Sequence, residues 1–133
     1  MKSMTRPALR QIMRMQGIAD MSAVPTAEID AYLTLLKGDD GGAAFLEIMR
    51  NFETTAEKEA LYRSTLTDVG YPRQVVWGAS DPALKVATFG EAARRITGAE
   101  AIHELPAKHF LQEDQAEPLA DLIASFVSAP PES

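Results

Sequence analysis

Two residues in the second half of the chain stand where open α/β sheets carry chemistry. Asp81 lies in Trp77-Gly78-Ala79-Ser80-Asp81-Pro82, just after a short β-branched run over 73–77 that Gly78 ends. Side chains beyond the carboxyl end of a strand face the crevice in which such sheets bind ligands. The same pattern has a plainer reading, since Asp followed by Pro is also a good N-cap and first helical residue. His109 follows a second, weaker strand pattern over 101–105 by a short loop, Pro106-Ala107-Lys108. It reads either as a surface imidazole or as a partner for Asp81 across adjacent loops. In the second case the carboxylate would orient the ring and stabilise its protonated form. The other histidine, His103, falls inside the strand pattern and reads as a side chain on the sheet. Glu113 and Asp114 form a carboxylate pair, which reads as solvation and capping of the last helix. Trp77 reads as packing at the strand end. With no cysteine in the chain, a thiol nucleophile, Cys-ligated zinc and disulfides are excluded.

The elements that must position Asp81 and His109 change character along the chain. Residues 1–70 read as helices only. Leu9, Ile12, Met13 and Gln16 begin one apolar face. Ile29, Tyr32, Leu33 and Leu36 make a second behind Thr26 as N-cap. Phe45, Ile48, Met49 and Phe52 make a third. Thr54-Thr55-Ala56-Glu57 reads as a capping box opening a fourth helix to about Leu66. Residues 71–128 read as β-α-β-α. The first helix there opens at Asp81-Pro82, carries Phe89, Ala92, Ala93 and Ile96, and ends at Gly98. The last carries Leu119, Leu122, Ile123 and Phe126. Two strands joined through a helix should run parallel. A sheet of two strands is marginal by itself, so this half reads as the edge of a larger sheet. That predicts an unpaired strand edge and an exposed apolar face at Val75, Trp77, Ile102 and Phe110, and hence self-association, strand swapping or only partial order.

Bulk properties remove other classes. At 133 residues, one domain is expected, and 46% hydrophobic with 24% charged residues fits a soluble globular chain. A net charge of −6 argues against nucleic acid as a partner. No apolar run approaches the roughly 18 residues of a membrane span. The basic first ten residues lack the apolar stretch of a signal peptide, so a cytoplasmic protein is expected. The end of the chain, Ser128-Ala129-Pro130-Pro131-Glu132-Ser133, reads as a frayed tail.

Taken together, Val75-Val76-Trp77-Gly78-Ala79-Ser80-Asp81-Pro82 and, 28 residues after Asp81, His109-Phe110-Leu111-Gln112-Glu113-Asp114 resemble the C-terminal end of α/β-hydrolases. The likeness is greatest to the haloalkane dehalogenase and epoxide hydrolase branch and covers about residues 20–127. There a Trp-Gly-x-x-Asp segment supplies the acid and a His-Phe-x-Gln-Glu segment the base. The resemblance implies an α/β chain with a truncated α/β-hydrolase fold. Residues 1–70 would be a helical cap-like segment, 71–128 the last two parallel strands with their helices, and 129–133 a tail. It assigns Asp81 and His109 as catalytic and implies no cofactor and no metal. One departure is Lys108, where the family usually has Gly.

In that family the nucleophile sits on a strand–turn–helix elbow, G-x-S-x-G or G-x-D-x-G, ahead of the cap. Gly38-Asp39-Asp40-Gly41-Gly42 matches the letters. Helical spacing over 26–36 leaves it no preceding strand, so it reads as a turn between helices. The expectation is a partial hydrolase, inactive alone, that would act on a small-molecule substrate only when completed by an N-terminal hydrolase half. Two other expectations stand beside it: a non-catalytic interaction module that associates through its sheet edge, and a small autonomous helical domain.

Overall fold

Thr5 opens the first helix by accepting from the Ala8 N–H, and helix α1 spans Arg6–Ile12. It widens into a π-helical turn, Met13–Gly17, which ends where Ile18 turns extended. Helix α2 spans Thr26–Lys37. Thr26 is not its N-cap, as the sequence suggested. Pro25 occupies the cap position, and no side chain caps the helix. Leu9, Met13, Ile18, Val24, Ile29 and Leu33 are buried together, with Met21, Tyr32 and Phe110 packed around them. Burying apolar side chains in this way is the main force holding α1 to α2. A two-pronged Arg10–Asp30 contact, at 3.1 and 2.7 Å, fixes their register. The computed structural model from which these features are taken describes residues 5–67 and 70–128, so the expected tail at 129–133 lies outside the described residues.

Helices α3, Ala43–Arg50, and α4, Ala56–Thr67, follow. The cap of α4 is Thr55, whose hydroxyl accepts from the Lys58 N–H at 3.2 Å. The expected Thr54–Glu57 box is thus displaced by one residue, since adjacent threonines offer the same hydroxyl and the helix starts at Ala56. The apolar residues on and just after α3 have the expected spacing, but Phe45, Ile48, Met49 and Phe52 are 37–70% exposed.

Strands β1, Val75–Gly78, and β2, Ile102–Leu105, pair in parallel with Val75 opposite Ile102 and Gly78 opposite Leu105. They are joined by a π-helical turn, Val86–Gly90, and helix α5, Glu91–Thr97. Gly98 ends α5 with φ 69°, the left-handed conformation glycine adopts without strain. The expected helix start at Asp81 is not observed. Asp81 closes its own turn through Ala83 and Leu84, and Lys85 is extended, so helical geometry begins only at Val86. Helices α6, Leu111–Asp114, and α7, Ala116–Ser128, complete the described chain.

The architecture is a mostly helical α/β arrangement. Among the described residues there are seven α-helices and one two-stranded parallel sheet. None of the helices described is long and apolar enough to cross a membrane. The apolar face expected on the sheet is differently placed. Val75 is buried, and Trp77, Ile102 and Phe110 are half-buried. The π turn after β1 and the N-terminal core cover them. Exposed apolar side chains lie instead on α3, α4 and α7, among them Leu61, Tyr62, Ile123 and Val127.

Candidate functional site

The two strands are zipped together past their ends. Ala79 N–H donates to the Leu105 carbonyl at 2.8 Å, and Ser80 N–H donates to the Ala107 carbonyl at 2.9 Å. These bonds carry the chain from Gly78 to Asp81 alongside the loop from Leu105 to His109. The two segments touch at Gly78. A Cβ placed there would lie 2.1 Å from the Lys108 carbonyl oxygen, so only glycine lets the loop pass.

Asp81 and His109 meet. The Asp81 Oδ2 lies 2.8 Å from His109 Nδ1. Its other oxygen, Oδ1, accepts from Ala83 N–H at 2.8 Å and Leu84 N–H at 2.9 Å. Asp81 thus closes a turn, not a helix start, with one oxygen, and holds the imidazole with the other. Trp77 braces the same turn, its indole N–H donating to the Leu84 carbonyl at 2.7 Å.

The Asp81 side chain is 5% exposed and that of His109 is 39% exposed. Burial of Asp81 pushes its carboxyl up, but the Leu84 N–H, the His109 ring and the Ala83 N–H together outweigh it and hold the group below its usual range. Asp81 is thus an ionised acceptor. An ionised carboxylate only accepts, so Nδ1 must carry the proton in this contact. Neutral His109 then has its lone pair on Nε2, the form a general base needs. The Phe110 ring sits edge-on to the imidazole, with ring centres 5.0 Å apart.

His103 lies on β2, exposed, opposite Val76, and among the described residues it belongs to no such pair. Glu113 and Asp114 do not cap α7. Glu113 accepts from the Tyr32 hydroxyl, and Asp114 accepts from the backbone N–H groups of Ala19 and Asp20, both at 2.8 Å. The N-terminal segment draws them away from the last helix, whose first turn bonds to the Gln115 carbonyl. Sequence reasoning missed this segment. Arg14, Gln16, Gly17, Ala19 and Asp20 bond through backbone atoms, for which the sequence has no letter.

Among the described residues, no hydroxyl or carboxylate is hydrogen-bonded to His109 Nε2, and no group of three or more potential ligands is arranged to hold a metal ion. Asp40 in the glycine-rich turn lies two residues ahead of Gly42, the N-cap of α3, and closes the start of that helix. Its oxygens accept from Gly42, Ala43 and Ala44 N–H at 2.7–3.1 Å. The Ala44 and Gly42 bonds come first in holding its carboxyl below the usual range. Gly41 and Gly42 have φ of 68° and 91°, so the turn needs both glycines. We expect Asp40→Ala to fray α3, read as lost helical circular dichroism and earlier melting, while the ring signals of His109 stay unchanged. A substitution that instead altered the His109 signals would link this turn to the site.

Comparison of the chain with family models, curated proteins and solved structures finds no match.

Proposed function

We propose that the chain supplies the acid–base half of an α/β-hydrolase site of the haloalkane dehalogenase and epoxide hydrolase kind. One observation carries the reading: a buried carboxylate bonds His109 Nδ1 at 2.8 Å, leaving Nε2 unpartnered among the described residues. In such a site a carboxylate or serine nucleophile first forms an ester with the substrate. His109 Nε2 then takes a proton from water as the water oxygen adds to the ester carbonyl carbon. The C–O bond to the leaving oxygen breaks, and His109 returns the proton to that oxygen. Asp81 orients the ring and stabilises its cationic form meanwhile. The nucleophile and the oxyanion-hole donors would come from a strand–turn–helix elbow outside the described residues, on a complementing hydrolase half. On this reading the α1–α4 region plays the part of the cap, and the substrate is a small molecule.

The purified chain is expected to release no halide, diol or acid above background from haloalkanes, epoxides or esters. Co-expressed with a hydrolase half that carries an elbow and oxyanion hole, it is expected to give turnover. His109→Ala should reduce that turnover by roughly 10³-fold or more, as loss of a triad member does, and Asp40→Asn should not affect it. Turnover by the chain alone, abolished by both His109→Ala and Asp40→Asn, would replace this reading with one in which Asp40 attacks. A second reading, a non-catalytic interaction module, is favoured by the sheet having only β1 and β2, each with one edge unpaired among the described residues. It is distinguished by association that His109→Ala leaves intact and that no activity accompanies.

A further inference from the structure

Beyond Ala107 the chain leaves the sheet, and different partners take over. His109 N–H donates to the Gln16 carbonyl at 3.4 Å, and Phe110 N–H donates to the Gly17 carbonyl at 2.8 Å. The Lys108 ammonium donates to the Arg14 carbonyl at 2.7 Å. Past the histidine, Asp114 Oδ2 accepts from Ala19 and Asp20 N–H. Phe110 lies so close to Gly17 that a Cβ there would sit 2.8 Å from its ring.

The acceptors are available for a simple reason. The last carbonyls of a helix have no intrahelical partner, and Arg14, Gln16 and Gly17 lie in the π-helical turn that ends α1. A lysine ammonium at this end also suits the helix dipole. We propose that residues 14–20 are the seat of the histidine loop, and that Lys108 and Asp114 are positioning residues that place His109 against Asp81.

The inference rests on the acid–base reading of the pair. It adds that the geometry of the pair is set by an element remote from the sheet. The half-exposed imidazole has Asp81 as its one polar side-chain partner among the described residues. Its direction therefore follows the position of its own backbone, and that backbone is held on both sides by residues 14–20. Lys108, the departure from the family pattern, has its charge directed to the Arg14 carbonyl rather than to the ring.

Nitrogen-15 spectra of the imidazole rings in the full chain, at a pH where they are neutral, test this. In the parent chain His109 is expected in the Nδ1–H form. Asp114→Ala should raise the Nε2–H form several-fold, Lys108→Met should raise it less, and Asp114→Asn, which keeps an acceptor oxygen, should restore the parent ratio. Asp30→Ala, which removes the Arg6 and Arg10 ion pairs to α2 without touching the loop, should leave the ratio unchanged. If Lys108→Met and Asp114→Ala both leave the ratio at the parent value, the seat has no positioning role, while the acid–base reading stands. Should Asp114→Ala fail to fold, Lys108→Met, which removes only an exposed contact, decides alone. A parent chain without the Nδ1–H form would overturn both readings.

Discussion

Gly78→Ala is expected to unseat His109 and to destabilise the fold by about 1–3 kcal/mol, the usual cost of forcing extra volume into a packed place. The added methyl would lie 2.1 Å from the Lys108 carbonyl oxygen and 2.9 Å from both the Lys108 carbonyl carbon and the Ala107 oxygen. Non-bonded carbon contacts are comfortable near ~3.5 Å, so something must move by roughly 1 Å. All the crowded atoms are backbone, so no side-chain rotation relieves the overlap. On one side, Gly78 is fixed by its pairing opposite Leu105. On the other, 107–108 are held by the Ser80 bond to Ala107 and by the Lys108 bond to Arg14. The loop has the fewer ladder bonds, so it yields, and it carries His109 with it. Denaturant unfolding and the ring nitrogen spectrum measure the two effects together. Parent-like stability with an intact Nδ1–H signal would mean that the loop is held more loosely than these distances state.

The second large effect is expected at Asp81. Asp81→Ala leaves the N–H groups of Ala83 and Leu84 and the His109 ring without their acceptor. Bonds to a charged group contribute about 1.5–3 kcal/mol each, and stranded donors add a penalty. Neighbouring losses do not sum, so about 3 kcal/mol is the expected total. Asp81→Asn separates turn from pair, because an amide oxygen can still close the turn. Its NH₂ then faces the imidazole, and the ring should switch to its Nε2–H form, which cannot act as a base toward water.

Acid unfolding adds a sign. The Asp81 carboxyl is held below its usual range in the fold, whereas in the unfolded chain it titrates near ~3.9. Above that pH both states are ionised and the stabilisation is fully present. As pH falls through it, the unfolded chain takes the proton first, and stability drains away until the folded group is protonated too. The stability gap between parent and Asp81→Asn should therefore narrow as pH falls below about 4. Parallel curves down to the acid limit would show that the carboxylate charge is not what holds the turn and ring.

The pairing of Asp81 with His109 was legible because both ends of a parallel β-α-β unit open on the same side, and strand patterns locate those ends to within a residue or two. The Trp77–Gly78 pair was legible as a strand end but not as a crossing point, since the crowding at Gly78 comes from a backbone thirty residues away. The periodicity of Phe45, Ile48 and Met49 identified a helix correctly but not its burial. Amphipathic spacing records what a helix has to cover and says nothing of whether a partner is present. Asp114 was misassigned for the opposite reason. Its local setting, next to a helix start, matched a cap, and a pair of remote N–H groups competed for the same oxygen. The late start of the helix after Asp81 has the same origin. Local rules place a helix behind Asp-Pro, but they do not count an indole N–H from Trp77 that takes the Leu84 carbonyl as its acceptor.

The seat under the histidine loop also orders events in time. Asp81 and His109 are 28 residues apart, whereas the clamps from Lys108 and Asp114 span 94 and 95 residues. In loop-closure entropy the longer span costs only about 1 kcal/mol more, so the clamp is cheap to keep. It is slow to make, because contacts between distant parts of a chain form late. A chain emerging from the ribosome can gather Leu9, Met13, Ile18, Val24, Ile29 and Leu33 early, with the Arg14, Gln16 and Gly17 carbonyls still bonded to water. Those carbonyls wait until residues 108–110 have been synthesised, and the Ala19 and Asp20 N–H groups wait for Asp114. The loop that carries the imidazole is then laid onto a surface already built, so assembly of this site is among the last steps of folding.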